Sequence, residues 1–237
     1  MKNKCVLVTG ATKGIGWAIS QHLADLGAHV VGIARHTHDI DFPGYLHACD
    51  LSQAGESEEV LRMLREKYPI DAVINNVGSV MPQPIGEVDL SVLYQVFDLN
   101  VRAAVQVAQT FIPDMKARQA GRIINISSRA AHGAYDLTSY AAAKSALLGC
   151  TNTWALELAP YGIAVNAISP GPTDTELLRH NYLEPDEEQR LLQSIPMGRF
   201  AQAHEIAAAV AFFLSDAAAY ITGQELIIDG GTSLTGR

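Results

Sequence analysis

Two side chains that together could transfer a proton lie four positions apart in this sequence, Tyr140 and Lys144. Within a helix, this spacing brings both side chains onto one face. The ordinary pKa of tyrosine is about 10, and a neighbouring ammonium group lowers it by stabilising the phenolate. The pair could therefore exchange a proton with an alcohol or carbonyl oxygen. YxxxK also arises by chance, but among the eight tyrosines only Tyr140 has a lysine at this spacing.

Two adjacent hydroxyl groups, those of Ser127 and Ser128, follow an isoleucine-rich segment that precedes Tyr140. At the end of a buried strand they could hold a carbonyl oxygen, although serines at such positions usually only cap a turn. Arg129 and His132 follow closely and could recognise a small polar or anionic substrate. Arg129 could equally belong to a structural ion pair.

A glycine-rich segment at residues 9–16 predicts a phosphate-binding turn. It follows a short apolar run and precedes apolar residues at helical spacing, so it should join a strand to a helix. In such a turn Gly10 permits the bend, Gly14 the approach of a pyrophosphate, and Gly16 the packing of helix on strand. The free N–H groups of the helix would face the anion. Alone the pattern is weak, because glycine-rich turns after strands are common.

Strand and helix patterns alternate along the chain without an obvious linker or repeat. This alternation predicts a single α/β domain with a doubly wound parallel sheet of about seven strands and helices on both faces. Ligands of such sheets bind at the carboxyl ends of the strands, where the polar motifs fall. The predicted strands are residues 5–8, 28–34, 45–49, 71–74, 122–126, 163–168 and 225–228, and the predicted helices are residues 14–26, about 58–66, 90–115, 140–158 and 203–214.

Composition excludes several other classes of protein. The 237 residues carry a formal net charge of -8 without a basic run, which argues against nucleic acid or an anionic membrane as main partner. No apolar run is long enough to span a membrane, and the beginning does not resemble a signal peptide. Cys5, Cys49 and Cys150 lack CxxC spacing and predict reduced thiols and a cytoplasmic location. We expect no metal site, since the pair of histidines at residues 36–38 lacks further ligands.

Four motifs, in this order along the chain, make the sequence similar to the short-chain dehydrogenase/reductase family over nearly its whole length. Together they are far more specific than any one of them. The residues that carry the resemblance are Thr9 to Gly16 for TGxxxGIG, Asn75 to Gly78 for NNAG, Tyr140 to Lys144 for YxxxK, and Asn166, Pro170, Gly171 and Thr175 for NxxxPGxxxT.

This resemblance implies a catalytic set of four residues that supports hydride transfer between a nicotinamide and a carbonyl carbon. Tyr140 would donate the proton to the carbonyl oxygen, and Ser128 would hydrogen-bond the same oxygen. Lys144 would bias the tyrosine and bind the nicotinamide ribose, and Asn100 would connect the lysine to solvent through a water molecule. Ser127 is the alternative to Ser128, because the segment up to Tyr140 is one residue shorter than in some relatives.

The resemblance also implies NADP(H) as the cofactor. An NAD site places a carboxylate at the end of the second strand, where this chain has Ala34 followed by Arg35. Lys13 in the glycine turn could join Arg35 at a 2′-phosphate, although both could instead be solvated surface cations. The implied cofactor-binding residues are Gly10, Thr12, Lys13, Gly14, Ile15, Gly16, Arg35, Asp50, Leu51, Asn76, Gly78, Tyr140, Lys144, Pro170, Gly171, Thr173 and Thr175.

The substrate would be a small carbonyl compound or alcohol beneath a variable lid at about residues 176–196. The chain looks similar to 3-oxoacyl-[acyl-carrier-protein] reductases, which favours a 3-oxoacyl-type ketone. The acidic lid, however, suits an acidic carrier protein poorly. The lid residues of interest are the apolar Leu177, Leu178, Tyr182, Leu183, Leu191 and Leu192, the acidic Glu176, Glu184, Asp186, Glu187 and Glu188, and the basic Arg179 and Arg190.

Two functions therefore remain open at this point. The first is an NADPH-dependent carbonyl reductase, and the second is a non-catalytic NADP(H)-binding sensor or regulatory module. The filled catalytic positions favour the enzyme. The family also implies a homotetramer, or a homodimer, built on the two long helices at residues 90–115 and 140–158.

Overall fold

Seven parallel strands form one sheet in the computed structural model, which describes residues 1–182 and 185–235. Two residues of the predicted lid, Leu183 and Glu184, lie outside the described residues, as do the side chains of Tyr182 and Glu187. The strands are ordered β3-β2-β1-β4-β5-β6-β7. They are β1 Cys5–Thr9, β2 His29–Ala34, β3 Gly44–Ala48, β4 Ala72–Asn75, β5 Gly121–Ile126, β6 Ile163–Pro170 and β7 Glu225–Ile228.

Helices cover both faces of this sheet. Helices α1 and α8 pack on one face, and α2, α4 and α5 contribute to the core on the other. In the described part of the chain no helix is both long and apolar enough to cross a lipid bilayer. The helices are α1 Gly14–Asp25, α2 Ala54–Lys67, α3 Leu90–Phe97, α4 Ala103–Arg118, α5 Thr138–Leu158, α6 Glu176–Tyr182, α7 Pro185–Gln193 and α8 Ala203–Leu214.

The central strands are buried on both sides, which explains their nearly continuous apolar sequences. Every residue of β1, β4 and β6 is buried. The core between β1 and the outer helices contains Leu7 and Phe111 on one face and Val8 and Ile19 on the other. The predicted doubly wound, single-domain α/β fold is therefore confirmed.

The predicted helix at residues 90–115 is interrupted by a π-helical turn, Asp98–Arg102, between α3 and α4. Inside this turn the amide of Asn100 donates to the carbonyl oxygen of Val96 at 2.8 Å and to that of Ser79 at 3.0 Å. A side chain that bonds to the preceding turn perturbs the regular helical pattern of hydrogen bonds. Apolar periodicity does not reveal such a turn, so the sequence predicted one continuous helix.

Helix α1 crosses the glycine turn so closely that Gly16 cannot carry a side chain without a shift. A Cβ atom at Gly16 would lie 2.1 Å from the carbonyl oxygen of Gly10 and 2.5 Å from Nδ2 of Asn76. Gly55, near the beginning of α2, has no atom within 4 Å of its Cβ position and therefore provides a matched control.

We expect Gly16→Ala to lower the free energy of unfolding by about 1–3 kcal/mol, because the methyl group forces apart the helix and the turn. Gly55→Ala should raise it by about 0.4–1 kcal/mol, because it restricts only the unfolded chain. Urea unfolding of both variants and the parent measures the two changes. Equal stability of the two variants would contradict the close packing at Gly16.

Candidate active site

A cavity of about 1510 Å³ opens at the carboxyl edge of the sheet. It lies where the strand order reverses between β1 and β4, the point at which such sheets bind ligands. Two predicted site residues, Gly16 and Asn100, are not part of its wall. The predicted residues that line it are Gly10, Thr12, Lys13, Gly14, Ile15, Arg35, Asp50, Leu51, Asn76, Gly78, Ser127, Ser128, Tyr140, Lys144, Pro170, Gly171, Thr173 and Thr175.

The glycine turn provides an anion-binding surface within this cavity. Gly10 and Gly14 have φ angles of +65° and +50°, a backbone conformation that favours glycine. A Cβ atom at Gly14 would lie 3.2 Å from Cγ2 of Thr175, so a side chain there would crowd the wall. Helix α1 begins at this turn and has no acidic residue in its first turn. Its N-terminal N–H groups and its dipole therefore fit the pyrophosphate of a dinucleotide.

Thr9 joins the ends of β1 and β4 behind the glycine turn. Its Oγ1 accepts hydrogen bonds from the backbone N–H groups of Asn76 at 2.9 Å and Val77 at 3.0 Å. In return, the side-chain amide of Asn76 donates to the Thr9 carbonyl oxygen at 2.9 Å. Thr9 belongs to the TGxxxGIG motif, but the motif did not predict this role, although a hydroxyl residue at a strand end can signal it.

Lys144 is almost completely buried, with 3% of its surface exposed. Its ammonium group donates to the carbonyl oxygen of Ile126 at 2.9 Å and lies 5.6 Å from the centroid of the Tyr140 ring. Burial disfavours the charged form and lowers the pKa of Lys144 from 10.5 to about 8. Tyr140 is half-buried, one helical turn before the lysine on α5. The structure thus brings the two predicted residues together in the cavity wall.

The hydrogen bonds of the two serines distinguish between them. The buried Ser127 hydroxyl donates to the carbonyl oxygen of Lys144 at 2.9 Å. The half-buried Ser128 hydroxyl accepts from the backbone N–H of Ala130 at 3.1 Å. Because a hydroxyl can accept and donate at once, the bond from Ala130 does not use the Ser128 hydrogen, whereas the Ser127 hydrogen is used in the bond to Lys144.

Asn100 lies behind the cavity wall and is only 1% exposed. Its Oδ1 atom is buried and has no hydrogen-bond partner in residues 1–182 and 185–235. A Cβ atom at Gly78 would lie 2.4 Å from this oxygen and 3.3 Å from Nζ of Lys144. Glycine at position 78 therefore lets the amide and the ammonium group approach the same space. A buried acceptor of this kind fits a water molecule between them.

The opposite end of the cavity carries positive charge. Strand β2 ends at Ala34, and the exposed Arg35 follows it. The carboxylate of Asp50 accepts hydrogen bonds from the Ser52 backbone and hydroxyl, which lower its pKa, as does the charge of Arg35. Arg35 therefore offers guanidinium N–H donors at this end of the cavity, beside the carboxylate of Asp50.

Lys13 forms an ion pair that the sequence did not predict. Its ammonium group lies 2.8 Å from the carboxylate of Glu176, the first residue of α6, and both side chains are about 70% exposed. Another unpredicted contact is made by Arg102, whose guanidinium donates to the Leu51 carbonyl oxygen at 2.7 Å. Both pairs join residues far apart in sequence, for which we find no local signal.

The predicted lid forms two helices beside the cavity, α6 and α7. Three of its leucines, Leu177, Leu178 and Leu191, line the cavity. Its basic residue Arg179 pairs with Asp174, which precedes the lid. Within the described parts of the chain, no group of three or more His, Cys, Asp or Glu side chains could hold a metal ion.

We expect the burial of Lys144 to make stability rise with pH between about 8 and 10.5. In this window the unfolded chain binds more protons than the folded one, so deprotonation favours folding by up to about 3 kcal/mol. The free energy of unfolding, measured against pH for the parent and for Lys144→Met, isolates this contribution. A pH-independent difference between the two proteins would contradict the lowered pKa.

Comparison with known proteins identifies the family. A family model described as Enoyl-(Acyl carrier protein) reductase matches residues 10–233. L-xylulose reductase of Mesocricetus auratus is 37% identical over an alignment of 237 positions, which covers 97% of this chain and 96% of that protein.

Solved structures agree with this relationship. A protein from Beutenbergia cavernae with bound NADP at low occupancy is 31% identical, with a TM-score of 0.94. The match covers 99% of this chain and 98% of that chain. A 4-hydroxyisoleucine dehydrogenase complexed with NADH is 26% identical, with a TM-score of 0.92. The match covers 98% of this chain and 99% of that chain. This chain therefore belongs to the short-chain dehydrogenase/reductase family of oxidoreductases.

Proposed function

We propose that this protein is an NADP(H)-dependent oxidoreductase that reduces a small ketone to a secondary alcohol, or catalyses the reverse reaction. The observation that carries the proposal is that one cavity contains both an anion-binding glycine turn and, at its other end, Tyr140, Lys144 and Ser128. A dinucleotide on the turn would extend towards these three residues. A sensor module would need only the glycine turn.

The polar residues have separate roles in the reduction. When bound, the nicotinamide supplies the hydride that the carbonyl carbon receives. Ser128 donates a hydrogen bond to the carbonyl oxygen, and the Tyr140 phenol transfers its proton to that oxygen. The positive charge of Lys144 stabilises the phenolate that remains. Asn100 accepts a hydrogen bond from a water molecule beside Lys144, through which the proton is replaced from solvent.

The choice of NADP(H) rests on charge at the far end of the cavity. Arg35 faces this end, and β2 ends in an alanine rather than in a carboxylate that would repel a 2′-phosphate. Lys13 can join Arg35 there, because its exposed ion pair with Glu176 is weak enough for a phosphate to displace. The solved structures of similar proteins include both an NADP and an NADH complex.

For the substrate we propose a small hydroxylated ketone, as the similarity to L-xylulose reductase supports. A 3-oxoacyl thioester is the second candidate. It is favoured by the apolar wall that Leu177, Leu178 and Leu191 provide. We propose that α6 and α7 form the substrate lid of this single cofactor-binding domain, residues 1–237.

We further propose a cytoplasmic homotetramer, or a homodimer, built on α3, α4 and α5, which contain the two segments predicted as long helices. Exposed apolar side chains on these helices support an interface, since Leu90, Tyr94 and Leu156 are 62%, 69% and 80% exposed. Three free cysteines support a reducing compartment.

Replacing the proton donor tests the enzyme directly. We expect Tyr140→Phe to lower kcat by about 10²–10⁴-fold while NADPH still binds, because only the transferred proton is lost. Oxidation of NADPH by the parent is measured first with L-xylulose, diketones and 3-oxoacyl thioesters, and coenzyme binding is measured by fluorescence. Tyr220→Phe is the control, since this fully exposed tyrosine lies outside the cavity wall. Normal turnover by Tyr140→Phe contradicts its role, and NADPH binding without turnover by the parent supports the sensor.

Reversing the charge at Arg35 tests the coenzyme. We expect Arg35→Asp to raise the KM for NADPH about 10- to 100-fold, because a charged hydrogen bond to the 2′-phosphate is lost. The KM for NADH should change far less. Arg62→Asp, at an exposed position on α2 outside the cavity wall, controls for the change in net charge. An equal loss with both coenzymes would show that Arg35 does not read the 2′-phosphate.

A further inference from the structure

A polar cluster of His132, Glu225 and Ser169 adjoins the substrate end of the cavity. His132 lines the same cavity as Ser128 and Tyr140. Its Nε2 atom lies 2.8 Å and 3.0 Å from the two carboxylate oxygens of Glu225. The Ser169 hydroxyl donates to one of these oxygens. The Glu225 carboxylate therefore holds the imidazole, and Ser169 holds the carboxylate.

Three separate parts of the fold position this cluster. His132 ends a short 3₁₀ turn that follows β5, and Ser145 of α5 fixes the turn by donating to the Ala131 carbonyl oxygen at 2.6 Å. Glu225 begins β7 and pairs with Ala167 of β6. Ser169 lies two residues further along β6, so it shares the face of the sheet with Glu225.

Burial increases along the chain of hydrogen bonds away from the cavity. The His132 side chain is 47% exposed, the Glu225 side chain is 23% exposed, and Ser169 is completely buried. The end that lines the cavity is thus the most exposed, Glu225 is partly exposed, and only Ser169 is fully shielded from water. Such an arrangement fixes the orientation of a ring that a ligand can still reach.

The hydrogen bond to Glu225 determines what the imidazole can bind. A carboxylate only accepts, so Nε2 carries the hydrogen of this bond and Nδ1 is the remaining polar atom of the ring. In the neutral imidazole Nδ1 accepts a hydrogen bond, as from a substrate hydroxyl. The histidine and glutamate together carry no net positive charge in either protonation state of the ring. They therefore offer no attraction to an anionic substrate.

We propose that His132 recognises a hydroxyl group of the substrate beyond the reacting carbonyl, with Glu225 and Ser169 as positioning residues. The inference rests on the proposed reductase function and adds a residue that selects neutral hydroxylated ketones over ketones without hydroxyl groups. Tyr140 and Ser128 act on the carbonyl oxygen itself, which both kinds of ketone possess. Loss of His132 therefore affects only the hydroxylated kind.

The test compares L-xylulose with pentane-2,3-dione, a five-carbon ketone without hydroxyl groups, using the full-length protein and NADPH. We expect His132→Ala to lower kcat/KM for L-xylulose about tenfold, mainly through KM, as expected for one lost hydrogen bond. The value for pentane-2,3-dione should stay within about twofold. His29→Ala, at an exposed position at the beginning of β2, is the control and should change neither value.

The positioning role of Glu225 has its own signature. Glu225→Ala should reproduce the effect of His132→Ala, and the double variant should add nothing to either, because both changes remove the same contact. Glu225→Gln keeps an acceptor for the Nε2 hydrogen and should restore most of the activity on L-xylulose. His132→Phe, which keeps a ring without its nitrogens, replaces His132→Ala if the latter does not fold.

The outcomes separate the inference from the function on which it rests. An equal loss with both ketones would give the cluster a purely structural role and overturn the inference. Unchanged activity of His132→Ala on L-xylulose would do the same, as would a parent that reduces only the dione. A parent that binds NADPH but reduces neither ketone nor a 3-oxoacyl thioester would overturn the proposed function itself.

Discussion

The burial of the Lys144 side chain is the constraint on which the rest of the site depends. An ammonium group without water is costly unless nearby polar atoms replace its hydration. Here the carbonyl oxygen of Ile126, at the end of β5, accepts one of its hydrogen bonds. The absent side chain of Gly78 leaves space for a second contact, and the buried Oδ1 of Asn100 lies on the other side of that space. The ends of two strands and the π-helical turn are thus arranged around one positive charge.

The fold was largely predictable because burial on both faces leaves a clear mark on a parallel strand. The seven strands were found close to their predicted positions, and the turns between them carried recognisable glycines and prolines. The π-helical turn at Asp98–Arg102 was not predicted, since it arises from hydrogen bonds of Asn100 rather than from apolar spacing. Tertiary contacts here alter a local pattern that, by itself, predicts an uninterrupted helix.

The positions of the site residues were predictable from the sequence, but their hydrogen-bond partners were less so. Residue types and spacing predicted Tyr140, Lys144 and the serine pair as site residues. In the structure all four line one cavity. Which serine retains its hydroxyl hydrogen depends on a contact with Lys144, 17 residues away from Ser127. The contact between His132 and Glu225 spans 93 residues. Pairs of this kind follow from the strand order, which a single sequence specifies only indirectly.

The hydrogen bonds between Thr9 and Asn76 have a consequence for how the molecule folds. They join positions 67 residues apart, and the parallel pairing of β1 with β4 must bring these positions together. Closing so long a loop costs entropy before any contact compensates for it, which makes such topologies slow to form. The glycine turn is therefore completed only when the centre of the sheet has assembled. An early collapsed state that lacks this pairing would contain the glycine segment but not the geometry that we propose to hold an anion.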